Sequence, residues 1–146
     1  MRIVAWPEYT DLLRELYSAV DLRDFDAIAA VGRGGCILAA YLASKLGLPV
    51  FYPIFVRHVG RGQELKIVAE DLGKVKSLEG RVLVVDDWNV EGRALRYVLN
   101  LIPKAVTVTT LVMFCRTGSE FKPDYVGKYV EEDEREILFP YDPIGS

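Results

Sequence analysis

A chain of 146 residues, 51% apolar and 27% charged, is long enough for one α/β domain with a substantial core and too apolar for a disordered protein. Its formal net charge of −3 argues against a dedicated nucleic-acid binder, whose footprint is a basic surface. The opening MRIVAWPEYTDLL is broken by Pro7, Glu8 and Asp11, and no stretch is long and apolar enough to span a bilayer, so the expectation is a cytoplasmic protein without a membrane partner.

Neither a repeat nor a Pro/Gly/Ser linker interrupts residues 1–146, which read as a single domain. Leu12, Leu13, Leu16, Tyr17 and Val20 recur at helical spacing over residues 8–20, behind Pro7, which suits a helix start. Residues 27–31 form a short apolar run, read as a buried strand. Residues 35–46, closed by Gly47 and Pro49, read as a buried helix. A strand is expected over 50–56, a basic glycine-containing loop RHVGRGQ over 57–63, and a further strand over 64–69. Residues 82–85 read as a central strand. Leu95, Val98, Leu99 and Ile102 mark a helix, and the Val/Thr-rich residues 105–113 a strand. Short strands are expected over 124–130 and 136–139. Strands alternating with helices imply a central, mostly parallel sheet flanked by helices, here with a small C-terminal hood. Ligands in such α/β folds bind beyond the carboxyl ends of the strands. That criterion selects the loops at 32–35, at 86–92 and after Met113.

Gly32-Arg33-Gly34-Gly35 joins a strand to a helix. Glycines let backbone approach an anion, a helix start offers unpaired N–H groups, and Arg33 adds a fork suited to phosphate. The plain alternative is a tight packing turn. A third glycine at dinucleotide-fingerprint spacing is missing, which disfavours a nicotinamide-dependent oxidoreductase. Asp86 and Asp87 close the apolar run VLVV, where paired carboxylates can hold ribose hydroxyls or Mg²⁺. Cys36 and Cys115 define no metal or disulfide framework and read as free thiols. His58, the only histidine, reads as a solvated loop residue; Trp88 either covers the ribose site or packs on the sheet; 131–134, EEDE, reads as a solvated connection.

GRGG and VLVVDDWNVEGRAL, about fifty residues apart, together resemble the phosphoribosyltransferase family of type I fold. QELK at 63–66, PDY at 123–125 and FPYD at 139–142 resemble segments of its xanthine-guanine and short archaeal purine members. The resemblance implies transfer of ribose 5-phosphate from phosphoribosyl pyrophosphate to a purine-type base with Mg²⁺, as in nucleotide salvage. It implies pyrophosphate on Arg33, Gly34 and Gly35. Asp86, Asp87, Asn89, Val90, Glu91, Gly92, Arg93 and Ala94 would hold the ribose phosphate, with Asp87 toward the metal. The base would meet Arg116, Glu136 and Ile137. Arg57, Arg61, Gln63 and Lys66 would belong to a mobile loop closing over pyrophosphate. A homodimer or higher homo-oligomer is expected, from the family and from the mildly positive mean hydropathy.

The sequence departs from the family pattern inside this site. Val90 stands where the family has an aspartate near the reacting nitrogen, so no catalytic residue is assigned. Glu91 and Ala94 replace hydroxyls, Gln63 an arginine and Glu136 a stacking aromatic. A carboxylate ~4 Å from a dianionic phosphate is repelled by about 2 kcal/mol in water and about 8 kcal/mol at an effective dielectric of 20. Glu91 would have to turn outward, pair with Arg93 or Arg96, become protonated, or itself fill the anion hole at the helix start. The alternative to an active transferase is therefore a family member that binds nucleotide or phosphoribosyl pyrophosphate in a regulatory role.

Overall fold

The computed structural model describes residues 1–21, 24–47, 51–60, 66–69 and 75–143. In chain order these form β1 (Arg2–Ile3), α1 (Trp6–Ala19), β2 (Ala27–Val31), α2 (Gly32–Leu46), β3 (Phe51–Ile54), β4 (Val56–Val59), β5 (Lys66–Ala69), β6 (Arg81–Asn89), α3 (Arg93–Leu101), β7 (Thr107–Arg116), β8 (Tyr125–Val130) and β9 (Ile137–Leu138). Five strands make one sheet in the order β3-β2-β6-β7-β8, and every neighbouring pair is parallel. Hence the expected mostly parallel sheet is parallel throughout. Two small ladders accompany it: β4 pairs antiparallel with β5, and β1 pairs parallel with β9.

Alternation along each strand divides the core between two faces. Ile28, Ala30, Leu83, Val85, Leu111 and Met113 face the side covered by α1 and α2. Ala29, Val31, Val82, Val84 and Val112 face the other, with Leu95 and Val98 of α3 and Val75 and Leu78. Burial on both faces is what turns β2 and β6 into continuous apolar runs rather than alternating ones. Leu83 is fully buried, and Leu83→Ala should cost roughly 2–5 kcal/mol in chemical denaturation, the range for emptying a leucine site that relaxes only partly.

Several element limits differ from the sequence reading. α1 begins at Trp6, with Pro7 in its first turn. GRGG is the first turn of α2 rather than a loop before it, and Gly32 takes φ +65° to make the entry. β6 runs on through Asp86 and Asp87 to Asn89, because Asp86, Trp88 and Asn89 pair with Val112, Phe114 and Cys115 of β7. Residues 57–59, expected in a loop, are strand, with Arg57 opposite Val68 and Val59 opposite Lys66. Arg61, Gln63, Glu64 and Leu65 lie outside the described residues. In the small C-terminal hood, Ile137 and Leu138 pair with Arg2 and Ile3, and Ile137 and Phe139 join the α1/α2 core.

The chain moves outward in one direction from β2 to β3 and in the other from β6 to β7 and β8. The switch point lies between β2 and β6, and their carboxyl ends are where such a sheet leaves a crevice for ligand.

Candidate functional site

At that switch point two helices begin, and neither has a side-chain cap. Val31 precedes α2 and Gly92 precedes α3, both without a capping side-chain hydrogen bond. The first-turn N–H groups of each helix therefore face the crevice without a cap, carrying the positive end of the helix dipole. A cleft of about 310 Å³ lies against α2, lined by Gly32, Arg33 and Gly34 on one side and Asp86, Asp87, Tyr141 and Asp142 on the other. A second, of about 260 Å³, follows the loop into α3 and is lined by Asp86, Trp88, Val90, Glu91, Gly92 and Arg93. Asp86 and Ala94 line both, so the two form a continuous groove with the acids at its middle.

The acids are held by close contacts. Asp86 is buried and its Oδ1 accepts the Asp87 N–H at 2.8 Å. Asp87 points to the α2 side, where its Oδ2 accepts a 2.7 Å hydrogen bond from the Tyr141 hydroxyl. A methyl on Gly34 would stand 1.7 Å from Asp87 Oδ2, so the carboxylate occupies the space a side chain would need. Gly35 is equally committed, since an added Cβ would meet the Val85 carbonyl oxygen at 2.7 Å.

Burial holds the Asp86 carboxyl well above the usual range, and the neighbouring Asp87 charge adds to this. Burial also raises Asp87, while the Tyr141 hydrogen bond works in the opposite direction. Burial and the Asp87 charge push both Tyr9 and Tyr141 above the ordinary phenol range. Tyr141 stacks on Phe139 with ring centroids 5.2 Å apart and meets Tyr9 edge-on at 5.7 Å. Tyr141→Phe keeps that packing and removes only the hydroxyl. It should lower stability by about 1–3 kcal/mol in thermal denaturation at neutral pH, the range for losing a hydrogen bond to a charged group.

The loop into α3 is braced from below. Asn89 is buried, and its Nδ2 donates to Cys115 Sγ, Ser119 Oγ and the Phe121 carbonyl at 3.1–3.3 Å. Its Oδ1 is buried without a partner among the described residues. Gly92 takes φ +83°, and a Cβ there would come within 2.1 Å of Phe121 Cβ, so this turn requires glycine twice over. Arg116 is buried; its Nε donates to the Val90 carbonyl and its Nη1 to the Glu132 carbonyl, each at 3.1 Å. Glu91 turns to a partner the sequence reading did not name: Arg135 Nη1 lies 2.8 Å from its Oε1. It is paired neither with Arg93 nor with Arg96, whose own partner is Glu120.

The structure thus brings Arg33, Gly34, Asp86, Asp87 and the 90–94 loop to the two adjoining clefts, with Gly35 packed against the Val85 carbonyl beneath them. Of the residues expected at the base, Arg116 lies under the loop, Glu136 is exposed and Ile137 is buried in the core. Arg57 and Lys66 are placed as strand positions on the β4–β5 ladder. Tyr141 and Asp142 belong to the FPYD segment noted in the sequence but without a site role there, and Arg135 was not singled out, since only tertiary contact marks it. Cys115 is buried and Cys36 partly buried, both as free thiols. No helix among the described residues is long and apolar enough to cross a membrane.

A parallel α/β sheet thus carries paired acids at its switch point, between two uncapped helix starts. The phosphoribosyl transferase domain model matches residues 2–143, and the chain belongs to that family. Its fold is similar to that of a purine phosphoribosyltransferase from Pyrococcus horikoshii Ot3, with TM-score 0.79 and 24% identity over 99% of this chain and 95% of that one. The Helicobacter pylori xanthine-guanine-hypoxanthine phosphoribosyltransferase gives 0.75 and 22% over 94% and 90%. A hypothetical protein from Neisseria gonorrhoeae with bound ppGpp gives 0.80 and 22% over 99% and 91%. At these identities the likeness is one of fold.

Proposed function

We propose that the protein transfers ribose 5-phosphate from phosphoribosyl pyrophosphate to a nucleobase, of purine type, in nucleotide salvage. The observation that carries this reading is the Asp86–Asp87 pair set between two uncapped helix starts in one groove. In this arrangement α2, with Arg33, Gly34 and Gly35, holds pyrophosphate. Residues 89–94 cradle the 5-phosphate, Asn89 through its bracing of the turn. Asp86 and Asp87 take the ribose hydroxyls. The base nitrogen bonds to C1 as pyrophosphate departs with the C1–O pair. Val90 offers no proton acceptor, so the nitrogen's proton passes to solvent. Catalysis then rests on positioning and on charge stabilisation of an oxocarbenium-like centre. In this reading the exposed Glu136 borders the base side.

The donor set suits Mg²⁺. Among the described residues no three acidic, cysteine or histidine side chains converge as a complete cage, and two hard carboxylates plus ligand phosphates are what Mg²⁺ ordinarily takes. Burial is what chiefly raises both carboxyls, and a divalent charge bound beside them would favour their ionised forms. Asp87, with Asp86, would hold the ion, which supplies charge neutralisation to the departing pyrophosphate. A homodimer or larger homo-oligomer and a cytoplasmic location accompany the reading. The exposed Met1, Ile3, Trp6 and Tyr129 support the former.

Val90, together with the Tyr141 hydroxyl already seated on Asp87, favours a second reading. In it the groove binds nucleotide or phosphoribosyl pyrophosphate in a regulatory role with little turnover. Pyrophosphate release should be assayed with Mg²⁺, phosphoribosyl pyrophosphate and each common base. Release with one base supports the transferase; silence with all of them rejects it. Thermal stabilisation by these ligands without turnover then selects the regulatory role, and stabilisation by none removes both.

A further inference from the structure

Glu91 stands in the loop where the family resemblance places a phosphate-contacting hydroxyl, and the structure shows where its charge goes. Its partner, Arg135, comes from a segment 44 residues away. Both side chains are about half exposed, at 49% and 57%. Among the described residues the Arg135 guanidinium has no other hydrogen-bond or ion-pair partner. An ion pair this exposed contributes little to stability, so the contact exchanges readily. A guanidinium carries five N–H donors, and Glu91 engages one of its nitrogens.

A second contact ties the same two segments. Arg116 binds the Val90 and Glu132 carbonyls, linking the loop to the backbone just before Arg135 through a buried side chain. Arg135 therefore extends from an anchored segment to Glu91, which lines the groove. Arg93, exposed at the first position of α3, is a second cation on the same loop. Two cations face one acid, so the loop remains suited to an anion despite Glu91.

We infer that Arg135 is the side chain that contacts the 5-phosphate of the ligand, aimed by Glu91. It takes over from the hydroxyls absent at Glu91 and Ala94. The inference rests on reading residues 89–94 as the 5-phosphate loop. The ligand class is a ribose 5-phosphate monoester, whose oxygens match a guanidinium fork in bidentate fashion.

Calorimetric titration of wild type, Arg135→Ala and Arg135→Lys tests this with three probes: guanosine 5-monophosphate against guanosine, ribose 5-phosphate against ribose, and Mg²⁺-pyrophosphate. Arg135→Ala should weaken the two phosphomonoesters about tenfold or more, the range for a charge-assisted hydrogen bond, and leave the unphosphorylated partners and pyrophosphate unchanged. Arg135→Lys should restore part of the loss. An unchanged ratio of phosphorylated to unphosphorylated affinity in Arg135→Ala overturns the inference and leaves the loop reading standing. So does an equal loss for pyrophosphate, which would mark a diffuse charge effect. If wild type itself binds the phosphomonoesters no better than their unphosphorylated partners, the loop reading fails and the inference falls with it. The exposed position lets both variants fold, which an unchanged melting temperature verifies.

Discussion

Gly34→Ala is expected to cost the protein its groove before it costs the fold. The added methyl falls 1.7 Å from Asp87 Oδ2 and 2.1 Å from its Cγ. Gly34 sits in the first turn of α2, where alanine is by itself the better helix former by up to about 1 kcal/mol. The clash opposes that gain. Asp87 must leave the Tyr141 hydroxyl, a hydrogen bond to a charged group worth about 1.5–3 kcal/mol. The net loss of stability is therefore modest, about 1–2 kcal/mol. Displacing the carboxylate by an ångström or more should lower affinity for Mg²⁺-phosphoribosyl pyrophosphate, and any turnover, about a hundredfold. Calorimetry reads the first and pyrophosphate release the second. Gly32→Ala is the contrasting variant. Nothing lies within 4 Å of its added Cβ, but its φ of +65° makes alanine strained by about 1–2 kcal/mol. It should lose stability and keep the groove. Binding by Gly34→Ala within threefold of wild type would show that Asp87 is not held as described.

Asp86→Asn should stabilise the protein, the opposite sign to most substitutions of a buried residue. Burial and the Asp87 charge raise the folded-state carboxyl above its unfolded value. The folded protein therefore holds the Asp86 proton over a range where the unfolded chain has released it. Stability then falls as pH rises from the ordinary aspartate value of about 4 through the raised folded value, and the deficit is complete above it. Asparagine removes the titration and can still accept the Asp87 N–H. The variant should melt at a higher temperature than wild type at pH 7, with a profile that falls less as pH rises above about 4. Mg²⁺ should raise the melting temperature of wild type more than that of Asp86→Asn. A variant no more stable than wild type at pH 7 would mean that burial of the acid is already compensated.

Much of the fold is legible in the residues themselves. Apolar runs at 27–31 and 82–85 mark strands buried on two faces, because only strands covered from both sides stay apolar without alternation. The 3.6-residue spacing of Leu95, Val98 and Ile102 marks α3, and all three are buried. Limits were harder to read where neighbours supply the order. Asp86, Asp87 and Asn89 have weak strand preference, yet β6 includes them because β7 offers partners through Cys115. Residues 57–59 resemble a loop by composition and are drawn into strand by residues 66–68.

The candidate site divides the same way. Asp86, Asp87, GRGG and Gly92 announce themselves by type and by position at strand ends. Their neighbours do not. Tyr141 meets Asp87 across 54 residues, Arg135 meets Glu91 across 44 and Arg116 meets Val90 across 26. By itself the sequence determined an α/β domain with paired acids and glycine-bearing turns at the carboxyl edge of its sheet, because periodicity and turn chemistry act over a few residues. Only the tertiary structure decided that Glu91 pairs with Arg135, that Arg116 supports the loop, and that Asp87 lies between Gly34 and Tyr141. The physical reason is that charge, burial and close approach are set by whichever side chains the sheet order brings together, and no local spacing encodes that order.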